Sequence, residues 1–216
     1  MKKITILTIL LSIAFISGCA GKLNYVRPNI SSRTSANYKI IDKPRDIVWN
    51  ESVPELGKQF FVINNLDRSS GLINLSYSGD PEKYIDCGQV TSFVKNLRGE
   101  RTYDFPGSKA EEVYEIMQNG ELYSLDRKMS VEGRVNLIFE VIGPNQTRVT
   151  ANTRYVVQKN VTVNREGQNF TQSASDTISF NSGGSASFPD RSGGKNESLE
   201  CMSNGELERE ILSAVN

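Results

Sequence analysis

The chain has 216 residues, 25 of them basic and 25 acidic, with 38% apolar side chains, three cysteines and no histidine. Zero formal charge gives no electrostatic reason to expect a nucleic acid as partner, and the length suits one domain with a tail. Without histidine, Ser-His and Cys-His nucleophile pairs, histidine-ligated zinc or haem, and a histidine pH switch are excluded.

Met1, Lys2 and Lys3 precede Ile4 through Ile16, where only Thr5, Thr8 and Ser12 are polar, and Ser17, Gly18 and Cys19 follow. A charged start, a short apolar run and small residues at its end make a secretory signal. As a helix, residues 4–17 would cover roughly 20 Å, short of the ~30 Å hydrocarbon core, so a permanent span is the weaker reading. Ile16-Ser17-Gly18-Cys19 resembles the lipobox of bacterial lipoproteins. The resemblance implies cleavage between Gly18 and Cys19, and a membrane anchor of diacylglycerol and an acyl chain such as palmitate on Cys19. An ordinary cleaved signal that contains a cysteine is the alternative. Ala20, not aspartate, follows Cys19; among enterobacterial lipoproteins this implies export to the outer membrane, with the globular part in the periplasm. Losing residues 1–18 removes two of the 25 basic groups and no acidic one, so the mature chain stays close to neutral.

Residues 19–37 are rich in Ser, Asn and other small or polar types and read as a flexible tether carrying the lipid on Cys19. Residues 38–216 read as a single domain. Asp42 is placed to cap a helix with Pro44 in its first turn, and Trp49, Val53, Leu56 and Phe60 share one helical face. Pro54 should kink or restart that helix. Strands follow over 60–66 and 72–78 around the turn Asp67-Arg68-Ser69-Ser70-Gly71, and a third over 84–90 carries Cys87. Ser108 and Glu111 fit a capping box for a short helix ending near Gly120. Leu125, Met129, Val131, Val135, Leu137, Phe139 and Val141 share odd parity; after Gly143-Pro144-Asn145-Gln146 the same alternation returns in Val149, Ala151, Tyr155 and Val157. A further strand runs to about Phe180, residues 181–200 read as a mobile Gly/Ser loop, and Ser203 with Glu206 caps a last helix bearing Leu207, Ile211, Ala214 and Val215.

These elements predict an α+β domain in which an N-terminal and a C-terminal helix pack on an antiparallel sheet. Their order resembles the helix-grip type of fold. The run from Trp49 to Tyr77, with "FFVINNLDRSSGLINLSYS", is similar to the opening of the globular domains of the BamC lipoprotein family of the outer-membrane β-barrel assembly machinery. The resemblance implies a fold more than a function.

With Cys19 taken by lipid, Cys87 and Cys201 remain, and an oxidising periplasm favours a disulfide between them. Two buried thiols or a redox-active pair are the alternatives, the latter weakened by the lack of Cys-X-X-Cys. Glu111, Glu112 and Glu115, and Glu206, Glu208 and Glu210, form carboxylate clusters that read as solvated helix faces; Ser92 and Lys95 give an isolated Ser-X-X-Lys. No catalytic set, cofactor site or metal site is expected, which leaves a histidine-independent hydrolase as the least favoured reading. The main expectation is a non-enzymatic interaction or structural module of the cell envelope, with an envelope protein as partner and the glycine-serine loop or an open sheet edge as its surface. The alternative is a carrier that grips a small amphiphile, with Trp49, Phe60, Phe61, Tyr77 and Phe139 lining an apolar pocket.

Overall fold

The computed structural model describes residues 20–29, 36–189 and 198–216. The predicted signal, its cleavage point at Gly18 and Cys19, part of the predicted tether and the centre of the 181–200 loop lie outside the described residues. In chain order the elements are β1 (Ala20–Val26), β2 (Tyr38–Ile41), α1 (Arg45–Gly57), β3 (Val62–Asp67), β4 (Leu72–Gly79), α2 (Pro81–Tyr84), β5 (Ile85–Asp86) and β6 (Gln89–Asn96). There follow β7 (Gly99–Pro106), β8 (Glu111–Gln118), β9 (Glu121–Gly143), β10 (Gln146–Arg165), β11 (Phe170–Asn181), β12 (Ser185–Ser187), β13 (Glu200–Ser203) and α3 (Glu206–Ser213).

The fold is mostly antiparallel β-sheet. Among the described residues strand accounts for 62% and helix for 14%, in three short helices, so the expected α+β helix-grip architecture does not hold. The physical reason lies in strand content that helical patterning concealed. Residues 111–118, expected as a capped helix, form β8, joined to β9 by a tight turn in which Asn119 and Gly120 have φ of 53° and 78°. Residues 20–26, expected within the flexible tether, form β1 and pair antiparallel with β6 from Ala20 opposite Lys95 to Val26 opposite Gln89. Residues 185–187, expected within the mobile loop, form β12 against β13.

The odd parity of the core-facing residues of β9 and β10 dictates the rest. They form one long hairpin, the 23 residues of β9 giving roughly 70 Å of contour at ~3.3 Å per residue. Its two outer sides are each shared by two strands. β8 pairs with β9 over residues 121–128 and β4 over residues 131–138, while β2 pairs with β10 over 147–150 and β11 over 154–165. β3 closes the far side of β4, and two three-stranded sheets, β1-β6-β7 and β12-β13-β5, complete the topology.

One face of the hairpin therefore serves two cores. Towards its turn, Met129, Val131, Val135, Leu137 and Phe139 of β9, with Val149, Ala151, Tyr155 and Val157 of β10, meet Val48, Trp49 and Leu56 of α1 and Leu207 and Ile211 of α3. Towards its open end, Leu125, Val161 and Val163 meet Val90 and Phe105 of the β1-β6-β7 sheet and Tyr114 of β8. The opposite face is polar, with cross-strand hydrogen bonds such as Asn74 to Asn136 at 2.6 Å, Asn37 to Asn152 at 3.0 Å and Arg154 to Ser179 at 3.1 Å.

Local capping differs from the expectation. α1 begins after Pro44 without a side-chain cap and stays continuous through Pro54; Asp42 instead accepts from the Gln146 amide at 2.9 Å. At α3 the Asn204 side chain, not Ser203, accepts from the Glu206 N–H at 3.0 Å, and Ser203 lies in β13.

Candidate functional site

The most constructed region of the molecule surrounds the cysteine pair. Cys87, between β5 and β6, and Cys201, in β13, lie fully buried at an S–S distance of 2.03 Å across 114 residues of sequence. The Tyr25 hydroxyl of β1 donates to the Glu200 carbonyl at 3.1 Å and accepts from the Glu200 N–H at 2.9 Å, holding β13 from the other side. Burial pushes the Tyr25 phenol up, against the lowering effect of the Glu200 backbone. Gly88 has φ of 73° and the backbone of Val26, Arg27 and Pro28 crosses directly over it, so no side chain fits there. The Asp86 carboxylate accepts from the Gly88 N–H at 2.8 Å. Beside this crossing lies an open cleft of about 360 Å³, whose lining includes Arg27, Asn29, Glu82, Asp86, Gln89 and Asn204. Its walls are polar. Among the described residues no group of histidine, cysteine, aspartate or glutamate could hold a metal, and no helix is long and apolar enough to cross a membrane.

The five aromatic residues expected to line one pocket divide between core and surface. Trp49 and Phe139 are buried and meet edge-on with centroids 5.2 Å apart, and Phe61 is buried in the same core. Phe60 is half exposed and lies 5.6 Å from Tyr77, which in turn packs edge-on against Tyr84 at 4.6 Å. Lys83 stands over Phe60 at 5.0 Å. The first group is core packing and the second caps its rim.

The candidate catalytic groups do not converge. Ser92 and Lys95 are three positions apart on β6, so the pleat sends them to opposite faces. Ser92 is buried and donates to the Glu115 carbonyl at 2.5 Å, whereas Lys95 pairs with Glu100 at 2.5 Å. Glu111 pairs with Lys128 at 2.9 Å, Glu112 with Lys109, and Glu115 with Arg101 at 2.5 Å. In α3, Glu206 pairs with Arg209 and Glu210 with Lys83 at 2.7 Å.

Among the buried charged groups, Glu208 corrects the expectation of a solvated helix face, and Arg127 is not anticipated. Glu208, 2% exposed, accepts from the Tyr155 hydroxyl at 2.8 Å and from the Ser182 hydroxyl at 2.7 Å, joining α3 to β10 and the β11–β12 turn. Burial and the Glu208 carboxylate together push the Tyr155 phenol far up. Arg127, 3% exposed, sits in the apolar parity of β9 between the two cores, with its guanidinium 4.9 Å from the Phe105 ring centroid. Its parity was the available signal, since Leu125 and Met129 flank it at the same register.

The sheet edge formed by β3 is the most open surface of a different kind. Val62 and Leu66 are exposed along it, next to Phe60, and a register shift interrupts its pairing with β4 between Ile63 and Asn65. No protein-family model, curated protein or solved structure matches the chain.

Proposed function

We propose that the chain is a lipid-anchored lipoprotein on the periplasmic face of the outer membrane, acting as a non-enzymatic interaction module for another envelope protein. The observation that carries the interaction role is the β3 edge. Among the described residues its outer backbone groups have no neighbouring strand, and apolar surface is exposed on both sides of the edge, Val62 on the face of Ser76 and Leu66 on the face of Ile73. An extended segment of a partner would add to that edge through main-chain hydrogen bonds, with its side chains against the exposed apolar groups. The lipobox supplies the location, and the buried cysteine pair fits an oxidising compartment. The dispersal of Trp49, Phe139, Phe60 and Tyr77 between core and rim weighs against the carrier reading.

The reading is tested on the protein made in its bacterial envelope. Intact-mass analysis is expected to find diacylglycerol and an acyl chain on Cys19, and an unmodified amino terminus would refute the anchor. A photoreactive residue at Leu66 is expected to give one discrete protein adduct, while the same residue at Asn160 on the polar face gives none. Equal or absent adducts at the two positions would refute the edge as the interaction surface.

A further inference from the structure

The anchor and the fold meet at one end of the molecule, and the meeting leaves no slack. Ala20, the residue bonded to Cys19, is already opposite Lys95 in β1, two positions before the turn Leu97-Arg98 that joins β6 to β7. Gly21 lies so close to Met117 of β8 that a Cβ there would collide with it. The expected 18-residue spacer therefore does not separate this end of the domain from the lipid.

Three hairpin tips share this end. β8 turns into β9 at Asn119 and Gly120, with Gln118 opposite Glu121. β10 turns into β11 between Arg165 and Phe170, and the Glu166 N–H donates to the Leu122 carbonyl at 3.1 Å. Arg98, on the β6–β7 tip, pairs with Glu166 and so ties the first tip to the third. Leu97 is 91% exposed, and Phe170 is 42% exposed. The turn itself does not require the leucine, since the Asn96 side chain accepting from the Arg98 N–H at 2.9 Å and Gly99 at φ 109° supply its geometry.

Resting on the lipoprotein reading above, we propose that these tips are a membrane-docking surface whose occupant is the phospholipid leaflet holding the Cys19 acyl chains. Arg98 with Glu166, Lys95 with Glu100 and Arg165 with Glu121 neutralise one another locally, which lowers the cost of bringing this end to the interface. The acyl chains supply the affinity, and Leu97 and Phe170 add orientation. The domain then stands on the lipid with the Gly143–Gln146 end of the long hairpin pointing away.

The test uses the mature lipidated protein in vesicles of phosphatidylethanolamine and phosphatidylglycerol brominated along their acyl chains. Leu97→Trp and Phe170→Trp are compared with Val141→Trp, an apolar site 63% exposed at the opposite end, and with the unsubstituted chain, whose Trp49 is buried. Emission added at positions 97 and 170 is expected to fall by about half, as for an indole at the interface, with position 141 unchanged. Equal quenching at all three sites, or at none, would overturn the docking. A blue shift at position 97 without lipid quenching would assign the tips to a protein or a second copy and overturn it too. The mass of the Cys19 peptide from the same sample separates the two readings: lipid present without quenching defeats the docking alone, and lipid absent defeats the anchor and the docking with it.

Discussion

Asp67 illustrates how a turn fixes a charge. Its carboxylate accepts from the N–H of Ser69 at 3.0 Å, the N–H of Ser70 at 3.2 Å and the Ser69 hydroxyl at 2.6 Å. The Ser69 hydroxyl first, then the nearby Ser70 hydroxyl and the backbone N–H groups, hold it at about 2 against an ordinary value of 3.8. Because the folded value is depressed, the contribution to stability is complete above the ordinary value and disappears as pH falls through about 2. Ser69→Ala is expected to raise the Asp67 midpoint in a carboxyl-carbon NMR titration, and an unmoved midpoint would reject this cause. The two buried ions make a contrasting pair. Glu208→Ala leaves the Tyr155 hydroxyl without this acceptor and the Ser182 hydroxyl with only its longer bond to the Thr153 carbonyl at 3.3 Å, and is expected to cost about 2–3 kcal/mol in urea unfolding. Arg127 has no carboxylate at hydrogen-bond distance; burial pushes its guanidinium down, and its bond to the Pro106 carbonyl is long at 3.4 Å. Arg127→Met should therefore be neutral or stabilising, within about 1 kcal/mol, and a loss as large as that of Glu208→Ala would contradict the assignment.

At the scale of elements, close packing on the long hairpin decides where a side chain is forbidden. A Cβ at Gly133 would come within 2.6 Å of Leu207, which is itself fully buried in α3. Gly133→Val is expected to lift α3 from the sheet and cost about 1–3 kcal/mol in thermal or urea unfolding, with part recovered by adding Leu207→Ala. The alternation that builds β9 and β10 was legible in the sequence because period-two apolarity needs no tertiary information. The helix carrying Trp49 and the last helix were legible for the corresponding reason. β8 was not, although its signal was present: Glu111 through Met117 are mostly good helix formers behind an apparent capping box, yet Asn119-Gly120 is the residue pair of a two-residue hairpin turn. Pairing with β9 outweighs the helix propensity. β1 was hidden by polar composition, and only Leu23 and Tyr25, two apart, marked its inward face. The cysteine pairing followed from counting, while the β3 edge needed the strand order that only the fold supplies.

For the whole molecule, the register of β9 and β10, unbroken from Thr147 opposite Val141 to Arg165 opposite Tyr123, makes two cores mechanically continuous, whereas α3 packs on one of them. β12, β13 and α3 are joined to the rest by the short β13–β5 pairing, the Tyr25 hydroxyl bonds to Glu200, the Glu210 contacts with Lys83 and Tyr84, the Glu208 contacts, the apolar face of Leu207 and Ile211, and the cysteine bridge. Closing 114 residues stabilises the fold by about 4–5 kcal/mol in the chain-entropy model. Its removal should therefore be felt globally in ΔG and locally in where the structure first opens. For Cys87→Ala/Cys201→Ala, amide exchange is expected to quicken first in residues 200–215 and in β5, because only two ladder pairs join β13 to β5 once the bridge is gone. Exchange in the 121–165 hairpin and in β6 and β7 should follow only at the slower global rate, since twenty ladder pairs join β9 to β10 without passing through the bridge. Uniform quickening across the chain would mean that the cysteine pair holds both cores together rather than fastening the C-terminal segment to one. That outcome would also bear on the end proposed to face the lipid: if β6 and β7 loosen with α3, the tips around Leu97 depend on a cross-link at the far side of the β1-β6-β7 sheet, and reduction of the bridge should then abolish their differential quenching by brominated lipid.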